Sequence, residues 1–336
     1  MGNKKVARVL SSRLKNIQIL NSKRSFEFSF AWLFALLAGA FILFLAIYAA
    51  IRIIGTEEYK LDAITAKQLS IIFEPMELGL AAGKSSKASL REETRIYNNC
   101  FDSGNFGAQE FSLSSKRFGR WSEKGAEISV NNKYIFSDNI EEGETIYLFS
   151  KPFEFPWKVS ELIFLTTESY CFLNSPEFVK EEVSGLGLEN TGNIKLDNCS
   201  LSDIRVCFSS DKDCDVVVRG ACINDCDEYE EYSYGFVEKA NEKVFYVSSL
   251  FYAGIFSSKE IYECNIKRLM KRLEKQALLF RDEANFLTAR CGVSSSEFIQ
   301  LAENARLLSN SKDLILFQAL VKEVDENNEN SQCKLW

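Results

Sequence analysis

Residues Phe28–Ile51 read FSFAWLFALLAGAFILFLAIYAAI, 24 consecutive residues without a charge. A helix rises about 1.5 Å per residue and the hydrocarbon layer is about 30 Å thick, so about 20 apolar residues cross it. A core helix of this length would carry a polar face, and this one has none. The stretch predicts a transmembrane helix over 28–54.

Its flanks orient it. Lys4, Lys5, Arg8, Arg13, Lys15, Lys23 and Arg24 precede the span against one acid, Glu27. Basic flanks stay on the cytoplasmic side, so the N-terminus is expected inside and the remainder in the extracytoplasmic space. A cleaved secretory signal is the competing reading, with Ala38-Gly39-Ala40 as its small-residue site. Cleavage there would leave FILFLAIYAAI, still membrane-seeking, which favours an uncleaved signal-anchor. Within the span, Ala31, Ala35 and Gly39 form a smooth stripe at four-residue spacing, suited to close packing against another membrane helix or a second copy. Residues 1–27 place Val6, Leu10, Leu14, Ile17 and Leu20 on one helical face among bases. This reads as a basic cytoplasmic amphipathic segment on the lipid bilayer, with a frayed tail as the alternative.

Composition narrows the chemistry. The 336 residues include no histidine, which removes Ser-His-Asp triads, Cys-His dyads and His-ligated zinc. No P-loop, dinucleotide-binding or nucleophile-elbow motif occurs, and no cofactor or metal is implied. Asp211-x-Asp213-x-Asp215 resembles the start of a calcium loop, but Val216 stands where glycine is needed and Cys222 where glutamate is needed. Residues 55–336 carry 32 basic and 46 acidic residues, an acidic exterior that disfavours nucleic acid and anionic lipid there.

All ten cysteines follow the span: Cys100, Cys171, Cys199, Cys207, Cys214, Cys222, Cys226, Cys264, Cys291 and Cys333. An even set on the exported side predicts disulfides in an oxidising compartment, ahead of metal, redox or free-thiol roles. The spacings match no zinc ribbon and leave connectivity open. Asn198-Cys199-Ser200 makes Asn198 a glycosylation candidate.

Between 55 and 256 the chain reads as a mainly antiparallel β-rich domain. EEYKLDAITAKQL either prolongs the membrane helix or forms a stalk. The runs SIIFEP, TRIYNNC, EISVNNKYIFS, ETIYLFS, ELIFLTTESYCFL, DIRVCFS, CDVVVRG and KVFYVSSLFYA are strand-like. EISV-NN-KYIFS and YGFVEK-ANE-KVFYV predict hairpins, because Asn tolerates the left-handed backbone of tight turns. In PFEFPW, the alternating Phe153, Phe155 and Trp157 suggest an aromatic docking patch for a protein, or an edge strand capping the core.

After 256 the period becomes helical. Ser257-x-x-Glu260 predicts a capping box. Ile266, Met270, Leu273, Ala277, Phe280, Ala284, Leu287 and Cys291 then form a heptad stripe flanked by charges that include Lys267, Arg268, Lys271 and Arg272. Gly292 is placed to end that helix. A second helix from serines 294–296 and a third over 312–324 would complete an antiparallel helical bundle over 257–325. The stripe serves either a local helical hairpin packed on the sheet or an intermolecular coiled coil. The polar tail 326–336 is expected to be tied back through Cys333.

The segment SFEFSFAWLFALLAGAFILFLAIYAA behind its basic leader resembles the N-terminus of type IV pilin-like proteins, with Glu27 in the place of their helix-leading glutamate. That resemblance implies leader removal and assembly into filaments. FPWKVSELIFL and YECNIKRLMKRL are similar to segments of uncharacterised single-pass membrane proteins of small-genome archaea, which implies a location and no mechanism. The expected architecture is therefore α+β: one membrane helix, an exported β-rich domain and C-terminal helices. The expected function is a membrane-anchored structural or interaction protein without catalysis, the alternative being an exported carboxylate-based hydrolase or ligand-sensing domain.

Overall fold

A computed structural model describes residues 30–77, 85–188, 192–208, 213–220, 232–291 and 295–336, with backbone alone along 54–72, 74–77 and 288–291. The chain divides into two compact units, Met1–Ile54 and Gly55–Trp336. In the first, residues Phe30–Ile53 have a mean hydropathy of 2.6 and none of that segment is buried in protein. They belong to helix α1 (Phe30–Glu77). The prolonged-helix reading of EEYKLDAITAKQL therefore holds, and SIIFEP, expected as a strand, is helical instead. Phe73 shows why. It is fully buried and sits 5.7 Å from the ring of Phe111, so tertiary packing overrides the β-branched propensity of its neighbours.

The second unit is α+β and contains two sheets. The first runs β3 (Arg120–Trp121), β2 (Ala108–Arg117), β1 (Ser86–Phe101), β6 (Ile140–Glu154), β7 (Lys158–Thr166), β5 (Tyr134–Phe136), with β4 (Ile128–Val130) beside β2. All its pairs are antiparallel except β5 with β7. The second runs β13 (Glu242–Val247), β12 (Tyr234–Lys239), β11 (Val216–Gly220), β10 (Ile204–Phe208), β8 (Tyr170–Leu173), β9 (Ile194–Leu196). Here β11, β10, β8 and β9 pair in parallel, while β12 pairs antiparallel with both β11 and β13, so the mainly antiparallel domain expected from the sequence forms as mixed sheets. The helix that the sequence reading missed, α2 (Glu177–Gly185), lies in the β8-to-β9 connection that such parallel pairing requires.

Of the two expected hairpins, one forms. β12 and β13 meet through Ala240-Asn241, both at positive φ, the mirror-image turn that matches strand twist. EISV-NN-KYIFS does not fold on itself, since β4 pairs with β2 and β5 with β7.

Both faces of the first sheet are covered, and so β7 is buried continuously from Val159 to Thr166. Phe164 and Leu162 face the main core, while Ile163 and Leu165 join Phe73, Phe111 and Ile146 in a smaller cluster on the other face. The main core fills the space between the sheets around α3 (Leu250–Phe256), all seven of whose residues are buried. Phe256 stacks edge-on against Phe149 at 5.2 Å and Tyr170 at 4.6 Å. α3 approaches β12 so closely that a Cβ on Gly254 would lie 2.8 Å from Val237 Cγ2, which requires glycine there.

The C-terminal helices are α4 (Lys259–Cys291), α5 (Ser296–Leu307), α6 (Asp313–Leu316) and α7 (Gln318–Asn330). The third expected helix is split at Phe317. Ile266, Met270, Leu273, Ala277 and Ala284 are all in the main core, so the heptad stripe is consumed within the chain and forms no exposed coiled-coil seam. Helix α4 packs on α5 and also on strands β1, β5, β7 and β13. The expected capping box is also replaced. Ser257 donates back to the carbonyl of Ala253, and Ser258 and Glu260 both engage Asn139. Gly292 lies outside the described residues.

Candidate binding cavity

Among the described residues the second unit is bridged by Cys100–Cys264, Cys171–Cys199 and Cys207–Cys214. Cys333 is also disulfide-bonded, and no described cysteine is free. Cys222 and Cys226, like the side chain of Cys291, lie outside the described residues. Asn198 is exposed next to the Cys171–Cys199 bridge, as a glycosylation site needs to be. Ala31, Ala35 and Gly39 are exposed along their helix, and a Cβ at Gly39 would meet nothing within 4 Å.

The aromatic docking patch is corrected. Phe153, Phe155 and Trp157 are each at most 4% exposed. Trp157 packs 4.5 Å from Phe280 and 5.1 Å from Trp336, and its indole N–H donates to Gln276. The PFEFPW segment is thus an anchor for α4 and the C-terminal tail. Trp336 is held in turn by its indole N–H to Asp325, and the tail expected to be tied back is docked.

The described residues enclose a cavity of about 230 Å³ where β6, α2 and the β13-to-α3 corner meet. Its walls combine Phe178, Tyr232 and Phe251 with Lys151, Glu154 and Glu182. Lys151 is the unusual group. Its ammonium lies 4.6 Å from the centre of the Tyr252 ring and is paired to Glu182, and the Tyr252 hydroxyl donates to the same carboxylate at 2.6 Å. Burial pushes the Lys151 pKa down, and Glu182 offsets part of that. Burial likewise drives the Tyr252 phenol well above its usual range. A lysine on a strand next to proline carried no sequence signal; only the fold brings α2 and α3 to it.

Two other polar centres are buried away from this cavity. Arg268, which the sequence reading placed among the charges flanking the heptad stripe, is 0% exposed. It donates to Phe106 O, Gln109 Oε1 and Asn265 Oδ1, lies 4.9 Å from the Tyr134 ring centre, and has its pKa lowered by burial to about 10. Glu141 is also enclosed. It accepts from the Thr167 amide and hydroxyl and from the Asp138 amide, while burial raises its pKa to about 7.

No protein-family model, curated protein or solved structure matches the chain. The geometry alone carries the functional reading. Among the described residues, no three acidic or cysteine side chains are grouped to hold a metal ion. The carboxylate with an acid-range shift, Glu141, lines neither the Lys151 cavity nor the smaller one beside Lys239. Glu154 and Glu182 line the larger cavity, but Glu182 is already engaged by a cation and a phenol. This arrangement suits binding a small polar ligand through mixed charges and aromatic faces; it is not the opposed acid and base that glycoside hydrolysis requires.

Proposed function

We propose that the protein is a single-pass, membrane-anchored structural or interaction protein, with its N-terminus cytoplasmic and its disulfide-bearing α+β domain outside the cell. The observation that carries this reading is the coexistence, in one chain, of a fully exposed 24-residue apolar helix and a domain held by long-range disulfides. The first needs lipid and the second an oxidising compartment. Association of the span through Ala31, Ala35 and Gly39 belongs to the same proposal, as does the pilin-like version in which the leader is removed and subunits assemble.

Protease added to intact cells tests the placement: it should digest the C-terminal domain and spare the N-terminal segment. Protection of the domain overturns the topology. Intact N-terminal mass then separates the versions, since a shortened N-terminus supports a pilin-like subunit and an unprocessed one supports a permanent anchor. Gly39→Ile should weaken association of the span in membranes. Unchanged association would make the stripe mere composition.

A second reading, ligand sensing, is favoured by the Lys151 cavity. Lys151→Met should abolish saturable binding of a polar small molecule found by library screening on the intact chain. Binding that persists in the variant would place the ligand elsewhere.

A further inference from the structure

The sequence Ser115-Lys-Arg-Phe-Gly-Arg-Trp121 forms the β2-to-β3 hairpin, with Lys116 opposite Trp121 and Arg117 opposite Arg120. Its two-residue turn is Phe118-Gly119, at φ 49° and 75°. Such mirror-image turns favour Asn, Asp or Gly at the first position, because a bulky side chain there clashes with its own backbone. Phe118 occupies it and is completely exposed, at 104%. Among the described residues no packing compensates for that conformation.

What surrounds the ring indicates its use. Lys116 and Arg117 are paired to Glu93 and Glu92 on the neighbouring strand. Continuing the same register brings Arg91 next to the tip, and Arg91 and Arg120 are both exposed. Trp121 lies beneath, half-buried, with the Arg95 guanidinium 3.9 Å from its ring centre. An exposed aromatic at a turn, an indole set behind it and guanidinium groups beside both match the chemistry of a bilayer's headgroup zone. There aromatic rings partition and guanidinium groups pair with phosphate.

We propose that the Phe118 hairpin tip docks on a lipid surface, Phe118 entering the headgroup boundary and Arg91 and Arg120 meeting lipid phosphates. The inference rests on the anchored reading for its energetics. One phenylalanine and two arginines bind lipid weakly in free solution. A chain already tethered to a bilayer holds its domain at an effective concentration in the millimolar range, where weak contacts suffice. The tip is a local basic exception on an acidic domain, so it also selects which face of the domain turns to the lipid.

The test replaces Phe118 by the photocrosslinking amino acid p-benzoylphenylalanine in the full chain in its native membranes. The same probe at Leu201, exposed at 110%, reports background. Illumination followed by cleavage at glutamate should give lipid adducts on peptide 111–123 well above the Leu201 level. Arg91→Glu combined with Arg120→Glu should lower the adduct by about five-fold or more, with disulfides intact. A protein adduct, or lipid adduct equal to background, overturns the proposal. Release of the chain by alkaline wash after illumination overturns the anchored reading instead, because the adduct is formed before the wash.

Discussion

Lys151 Nζ lies 2.5 Å from Glu182 Oε2, with the lysine side chain 13% exposed and the glutamate side chain 34% exposed. The asymmetry sets the effect of breaking the pair. Glu182→Gln strands a cation that water reaches poorly, whereas Lys151→Met leaves a carboxylate that water and Tyr252 still solvate. Glu182→Gln should therefore cost about 2 kcal/mol, below the range for fully enclosed pairs, and Lys151→Met about 1 kcal/mol or less. Urea denaturation of both variants checks the order.

Glu141 makes stability depend on pH. Its folded pKa, about 7, lies above the ordinary value of 4.5 because burial disfavours the charged form. Between those values the folded state holds a proton that the unfolded state has lost. The contribution is full below pH 4.5 and disappears as pH rises through about 7, a change of about 3 kcal/mol. Unfolding free energy measured from pH 4 to 8 should show this fall, and Glu141→Gln should flatten it.

Leu273 is 0% exposed within the main core. Leu273→Asp should therefore abolish folding of the domain, at a cost above about 4 kcal/mol. Circular dichroism and proteolysis distinguish this from a folded domain that has merely lost a partner.

The disulfides should differ in worth according to the loop each closes. Cys100–Cys264 spans 164 residues and Cys207–Cys214 spans 7. In the chain-entropy account, removing each pair singly costs about 5 and about 2 kcal/mol respectively. Paired Cys→Ala variants compared by thermal unfolding should follow that order.

The apolar span, the disulfide-bonded cysteines and the α+β class were legible because each rests on local composition or period. Features set by distant segments were not. SIIFEP has strand residues, yet Phe73 belongs to a helix packed on Phe111. PFEFPW alternates like a surface edge, yet Trp157 is enclosed by Phe280, Phe298 and Trp336 from three later segments. Arg268 sits in a basic run that looks solvated, and only the approach of Gln109 and Phe106 from β2 and its preceding loop makes it interior. The cavity beside Lys151 needs β6, α2 and α3 together, and no single stretch encodes it.

The span of the Cys100–Cys264 bridge constrains biosynthesis as well. A polypeptide emerging N-terminus first presents Cys100 long before Cys264, and Cys171, Cys199, Cys207 and Cys214 arrive in the interval. The two short-range bridges have their partners within reach at once, while Cys100 must wait among competing thiols. Correct pairing of these thiols is thus expected to depend on an oxidoreductase able to undo premature pairings, and cells lacking one should accumulate this chain as mispaired, protease-sensitive isomers.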